Sequence, residues 1–249
     1  MLRTWTALLL LSFGFTQTIS PKRPVSTYSI VARDPDTGQL GVAVQSHWFS
    51  VGPLVAWAES GVGAVATQSF IDPNYGPLGL ELMKAGRTSQ ETMDALVSTD
   101  SGKDVRQVGM IDANGNTAVF TGNNTIPYAG HKMGENYSVQ ANLMEKPTVW
   151  DAMAHAFESS DGDLAEKLLV ALEAAQREGG DIRGKQSAAI LVVSGDATGF
   201  PWIDRIFDLR IADHPTPVKE LRRLVQLKRA YLKLNEGDEW VTKHQMEKA

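Results

Sequence analysis

The chain has no cysteine, so neither a disulfide nor a thiolate metal ligand can contribute to its fold or chemistry. It also lacks a basic stripe with interleaved aromatics. Lysine and arginine are dispersed before His214 and the net charge is −5, which argues against a nucleic-acid partner. The one basic run, Lys219, Arg222, Arg223, Lys228, Arg229 and Lys233, has helical spacing and reads as the solvated face of an amphipathic helix. Long hydrophobic runs are missing too. The nearly apolar stretch Trp5 to Phe15 follows a single basic residue, Arg3, and is too short to span a bilayer. Thr16-Gln17-Thr18 and Pro21-Lys22-Arg23-Pro24 end it without a stop-transfer pattern. Residues 1–20 therefore read as a secretion signal, with Thr16/Thr18 or Thr18/Ser20 as the small pair before the cut. This predicts an exported protein, periplasmic or extracellular, with no stable membrane anchor after processing. Metal-ligand patterns are absent as well. The turn Asp34-Pro35-Asp36 lacks the later acidic ligands of a calcium loop, and His131, His155 and His244 have no mutual spacing that suggests a metal. No metal and no cofactor is expected.

What is present is a substantial core. The 249 residues are 43% apolar, enough for one domain without disulfides. Thr27 to Arg33 and Leu40 to Ser46 are β-rich and flank a Pro-and-Gly turn, so they predict a hairpin. A strand follows over Val62 to Gln68, its glycines and alanines suited to close backbone approach. Two helices come next, over Gly76 to Ala85 and from the capping box at Thr88 to about Val97. Val105 to Ile111 and Thr117 to Thr121 flank Asn114-Gly115 as a second hairpin, and Tyr137 to Leu143 is a further strand. Helices over Thr148 to Glu158 and Asp163 to Glu178 are followed by strands at Ser187 to Ser194 and Ile203 to Ile211. A final helix begins after His214-Pro215-Thr216-Pro217, and a short second helix follows Gly237. The order predicts an α+β protein: two antiparallel sheets packed face to face with helix pairs outside, plus a C-terminal helical extension.

The start of the first strand carries the chemistry. A secreted chain that began at Thr27 would carry a hydroxyl nucleophile and, on the same residue, an α-amine that titrates near neutrality. The threonine methyl restricts χ1 and so fixes the hydroxyl. A conventional signal cut leaves Ile19 or Pro21 first, so this chemistry requires a second cut between Ser26 and Thr27. Residues 21–26 are then a linker or propeptide. Otherwise Thr27 and Ser29 are ordinary strand residues facing water.

Several motifs together resemble one family. They are Thr27-Tyr28-Ser29-Ile30-Val31-Ala32-Arg33-Asp34, Gly41 to Ser46, Gly61 to Gln68, Tyr75-Gly76-Pro77, Val139-Gln140-Ala141-Asn142, and Gly180-Asp181-Ile182-Arg183-Gly184-Lys185-Gln186-Ser187. In order over Thr27 to Leu224 they resemble the bacterial and archaeal family DUF1028, placed in the Ntn-hydrolase superfamily. The resemblance implies a four-layer αββα sandwich over residues 27–213, followed by the helical extension 214–249. It also implies amide-bond hydrolysis as the superfamily's usual reaction, and it implies no particular substrate.

The resemblance places an oxyanion hole at Thr67-Gln68-Ser69, from backbone amides at a strand end. The expected catalytic residues are thus Thr27, Thr67 and Gln68. Ser46 and His47 end the second strand opposite Thr27, with His47 a candidate base. Asn142, Asp181 and Arg183 are candidates for holding a substrate carboxylate or amide, the arginine through its planar fork; the alternative is a structural Asp181–Arg183 ion pair. Trp48, Phe49, Trp57, Phe70 and Tyr75 are candidates for the mouth of a pocket. Two functions follow. One is an exported amidohydrolase acting on a small amide or peptide-like substrate; the other is an inactive sandwich that binds a ligand or partner. The apolar stripe Leu221, Leu224, Val225, Leu227, Tyr231 and Leu232 further predicts a homo-oligomer.

Overall fold

A computed structural model describes Val25 and residues 27–246; the expected signal, residues 1–20, lies outside the described residues, as does Ser26. The first hairpin is β1 (Thr27–Arg33) with β2 (Leu40–Ser46), and Gly38 supplies the positive φ of 69° that its turn requires. A short helix α1 (Gly52–Val55) leads to β3 (Ala56–Glu59) and β4 (Gly63–Ser69). Helices α2 (Tyr75–Lys84) and α3 (Ser89–Thr99) follow, α3 opening with the expected capping box between Thr88 and Glu91. The second hairpin is β5 (Arg106–Asp112) with β6 (Thr117–Thr121), turning at Gly115 with φ 86°. Beyond it are β7 (Gly130–Gly134), β8 (Tyr137–Asn142), α4 (Val149–Ser159), α5 (Leu164–Arg177) and β9 (Ser187–Val193). The chain closes with α6 (Pro201–Asp204), β10 (Arg205–Ile211) and α7 (Pro217–Met246).

The strands form two antiparallel sheets, β10-β9-β2-β1-β8-β7 and β3-β4-β5-β6. Alternation divides each strand between two surfaces. Tyr28, Ile30, Val139 and Ile190 face α4 and α5, which supply Met153, Leu168, Leu169 and Leu172 to the same cluster. Val65, Val108 and Met110 face α2 and α3. Between the sheets, Val31, Val42, Val44 and Leu191 pack against Ala64, Ala66 and Ile111. The mixed class and both antiparallel sheets thus agree with the sequence.

Several elements differ from expectation. The expected break at Gly237 is absent, and α7 runs as one helix of 30 residues. Ile203 lies in α6 rather than in β10, because Pro201 starts a helical turn there. The strands β3 and β7 were not anticipated.

Candidate active site

Thr27 opens β1 and lies between Ser46 of β2 and Asn142 of β8 in register, at one end of the six-stranded sheet. Its side chain is buried, as is that of Ser29, so neither faces water. Thr27 Oγ1 donates to the Val25 carbonyl at 2.7 Å. Val25 is itself held by both backbone hydrogen bonds to Ser69 at the end of β4: its N–H reaches the Ser69 carbonyl at 2.7 Å, and its carbonyl accepts the Ser69 N–H at 3.1 Å. The Val25 carbonyl oxygen therefore sits between a hydroxyl and an amide donor. Ser69 has φ 71°, a cost for a residue with a Cβ, and its buried Oγ has no partner.

Beside Thr27 the inter-sheet surface turns from apolar to polar. Ser29 Oγ donates to Gln68 Oε1 at 2.7 Å and accepts from Gln140 Nε2 at 2.7 Å. Gln68 Nε2 donates to Gln107 Oε1 at 2.7 Å and to the Thr27 carbonyl at 3.3 Å. Asn142 Nδ2 donates to the same Gln107 oxygen at 3.0 Å. Gln107 Nε2 faces Thr121 Oγ1 and the carbonyls of Gly130 and Ala141 at 3.0–3.1 Å. Each link is one that a buried amide needs to avoid a desolvation penalty. Gly109 makes the layer fit, because a Cβ there would stand 2.5 Å from Gln140 Oε1.

Asn142 Oδ1 is the acceptor that this layer leaves without a partner, buried next to Thr27. On the opposite face of the same sheet end, Gln45 is buried with both amide atoms unpartnered, beside Tyr28. Burial, reinforced by the negative charge of Asp181, raises the Tyr28 phenol well above its ordinary pKa.

The loop 180–184 docks on this end. Asp181 pairs with Met144, and its Oδ2 accepts the His47 N–H at 3.0 Å. Arg183 grips both Asp181 oxygens, Nε to Oδ1 at 3.1 Å and Nη2 to Oδ2 at 2.9 Å, so the guanidinium fork already holds a carboxylate of its own chain. His47 Nδ1 is buried without a partner near Gly184. The structure thus brings Thr27, Ser46, His47, Gln68, Asn142, Asp181 and Arg183 to one region. Thr67 is not among them: its hydroxyl donates to the Asp72 carbonyl at 3.1 Å, on the α2 side of β4. Nor do the aromatics gather at a mouth. Trp57 instead lines a cleft of about 770 Å³ with Glu59, Lys84 and Arg205, at the end of the sheets far from Thr27. Tyr75 donates to Asp100, whose carboxylate also takes Arg106.

Ser29, Gln107 and Gln140 were missed as members of the site. The sequence reading has β8 apolar apart from Asn142; its alternation in fact puts Ser138, Gln140 and Asn142 on one face, but polar residues at period two ordinarily face solvent, and nothing local says that a second sheet covers them.

Residues 27–221 match the family described as a family of unknown function, DUF1028. The chain belongs to the DUF1028 family. A crystal structure from the same family, of a Silicibacter pomeroyi protein, is 31% identical over 81% of this chain and 85% of its own, with a TM-score of 0.72. An ancestral β-subunit from Yersinia bercovieri is 12% identical over 84% of this chain and 97% of its own, at a TM-score of 0.35. No curated protein matches. The DUF1028 match begins at Thr27 and ends within the first turns of α7, so the candidate site lies inside it and most of α7 beyond it.

Proposed function

We propose that this DUF1028 protein is an exported amide hydrolase of the Ntn type, active once the chain begins at Thr27, with a small amide or peptide-like substrate. The observation that carries this reading is the Val25 carbonyl, whose oxygen accepts from both Thr27 Oγ1 and the Ser69 N–H. A substrate carbonyl in that place would meet the nucleophile and an amide donor for the charge that develops on its oxygen. Two further observations support it. The family match starts at Thr27, and two facing antiparallel sheets with α2/α3 and α4/α5 packed on them are what a four-layer αββα sandwich of the Ntn type requires.

In this mechanism the free α-amine of Thr27, with a pKa of about 8, takes the proton from Oγ1 as the oxygen attacks the substrate carbonyl carbon. The Ser69 amide stabilises the tetrahedral oxyanion. Collapse breaks the C–N bond, and the ammonium returns the proton to the leaving amine. Water then attacks the Thr27 ester, its proton passing through the same amine, and releases the acid. Gln68 and Asn142 hold the Thr27 carbonyl and so orient the residue.

Intact-mass measurement of the exported protein tests this, alongside amide hydrolysis by the wild type and Thr27→Ala. The expected result is a mass that begins at Thr27, and loss of hydrolysis in the alanine variant with its melting temperature retained. An active protein whose mass includes Ser26, or full activity in the alanine variant, overturns the reading. An uncleaved, inactive protein would leave a binding sandwich, since Thr27 would then have no α-amine.

A further inference from the structure

The two edges of β4 are covered differently. β5 holds one of them along its whole length, as far as the pair of Ser69 with Arg106. On the other, β3 stops at Ala56 opposite Ala66, and no described strand continues beside Thr67, Gln68 and Ser69. Ser69 gives both its N–H and its C=O to Val25. With β5 on the first edge, Val25 must lie on the edge that β3 leaves open, and it continues that edge by a single antiparallel bridge. Open strand edges are where extended peptides add to a sheet through their main chain.

Val25 therefore shows what a guest on this edge has to carry. Its carbonyl oxygen takes the Thr27 hydroxyl and the Ser69 N–H, the place given above to the reacting carbonyl. Its own N–H donates to the Ser69 carbonyl at 2.7 Å. An acyl group with no N–H at that position leaves the Ser69 oxygen covered and without a donor. The Val25 side chain is wholly buried, in the apolar cluster that includes Val44, Val51 and Ile71. A charged side chain placed there would lose its hydration with nothing to replace it.

We propose, resting on the Ntn reading above, that the substrate is a peptide that adds to the open edge of β4 as an antiparallel strand and is cleaved after an apolar, valine-sized residue whose own N–H binds Ser69. Three p-nitroanilides test this on a chain made to begin at Thr27: N-acetylvalyl, its analogue with oxygen in place of the valine N–H, and N-acetylaspartyl. From the first to the second, kcat/KM should fall about tenfold or more, and to the third about a hundredfold or more. The same compounds, titrated into the Thr27→Ala chain and followed by nuclear magnetic resonance, should bind in the same order without being cleaved. Hydrolysis that is equal for the N–H and oxygen compounds, or as fast for aspartyl as for valyl, overturns the inference and leaves the Ntn reading standing. Where the wild type cleaves none of them, binding decides alone. The expected order then keeps the edge as the recognition surface and tells against hydrolysis, and equal binding or none overturns the inference.

Discussion

Gln107 closes the polar layer between the sheets, receiving Gln68 and Asn142 on its oxygen while its amide reaches across to β6, β7 and β8. Gln107→Leu keeps the volume and strands those partners, so it should lower unfolding free energy by about 3 kcal/mol in urea titration. Gly109→Ala attacks the same layer sterically by pushing Gln140 off Ser29, at about 1–3 kcal/mol by the same measurement. Arg183→Lys is a sharper probe than its charge conservation suggests. Lysine cannot fork both oxygens of the buried Asp181, so the melting temperature should fall even with no ligand present. Thr27 could be singled out in the sequence because its chemistry depends on position along the chain. Gln68 and Asn142 were named as well, the first through the family resemblance and the second as a polar residue on a strand, but Gln107, which links them, could not be, because the three meet only through the pairing of strands far apart in sequence.

Among the elements, those with a strong signal were read well. The capping box of α3 and the Asn-Gly turn of β5–β6 are local chemistry and fall where the sequence puts them. The edge strand β7, Gly130-His-Lys-Met-Gly, is largely exposed and has no apolar alternation to betray it. Gly237 misled for a different reason. A glycine inside an exposed helix costs about 1 kcal/mol, which weakens the helix there without ending it. The half of α7 whose Val218, Leu221 and Val225 are buried should respond to acid. Partial burial alone would raise the Glu166 carboxyl, but hydrogen bonds from Arg222 and Arg229 outweigh it and hold its pKa below the usual range. Its contribution is therefore present above the unfolded value of about 4.3 and lost as pH falls through the lower folded value. Protection factors for amide exchange over residues 218–229, taken relative to the intrinsic rate at each pH, should fall on acidification before those in β1 and β2 do.

For the molecule as a whole, Val25 sits as a ligand tethered to its own receptor. Val25 fills a place in the inter-sheet cluster and completes two backbone hydrogen bonds with Ser69, so under the proposed processing the uncut chain would be a self-liganded complex. Releasing that residue forfeits its burial and both bonds, on the order of 3 kcal/mol. A chain made to begin at Thr27 should accordingly melt about 6–12 °C below one that begins at Pro21, as read by calorimetry. Maturation by a cut at Thr27 would then run downhill in stability. The released peptide, free in solution, would be the first competitive inhibitor the mature site encounters, and its dilution on export would set when the site opens.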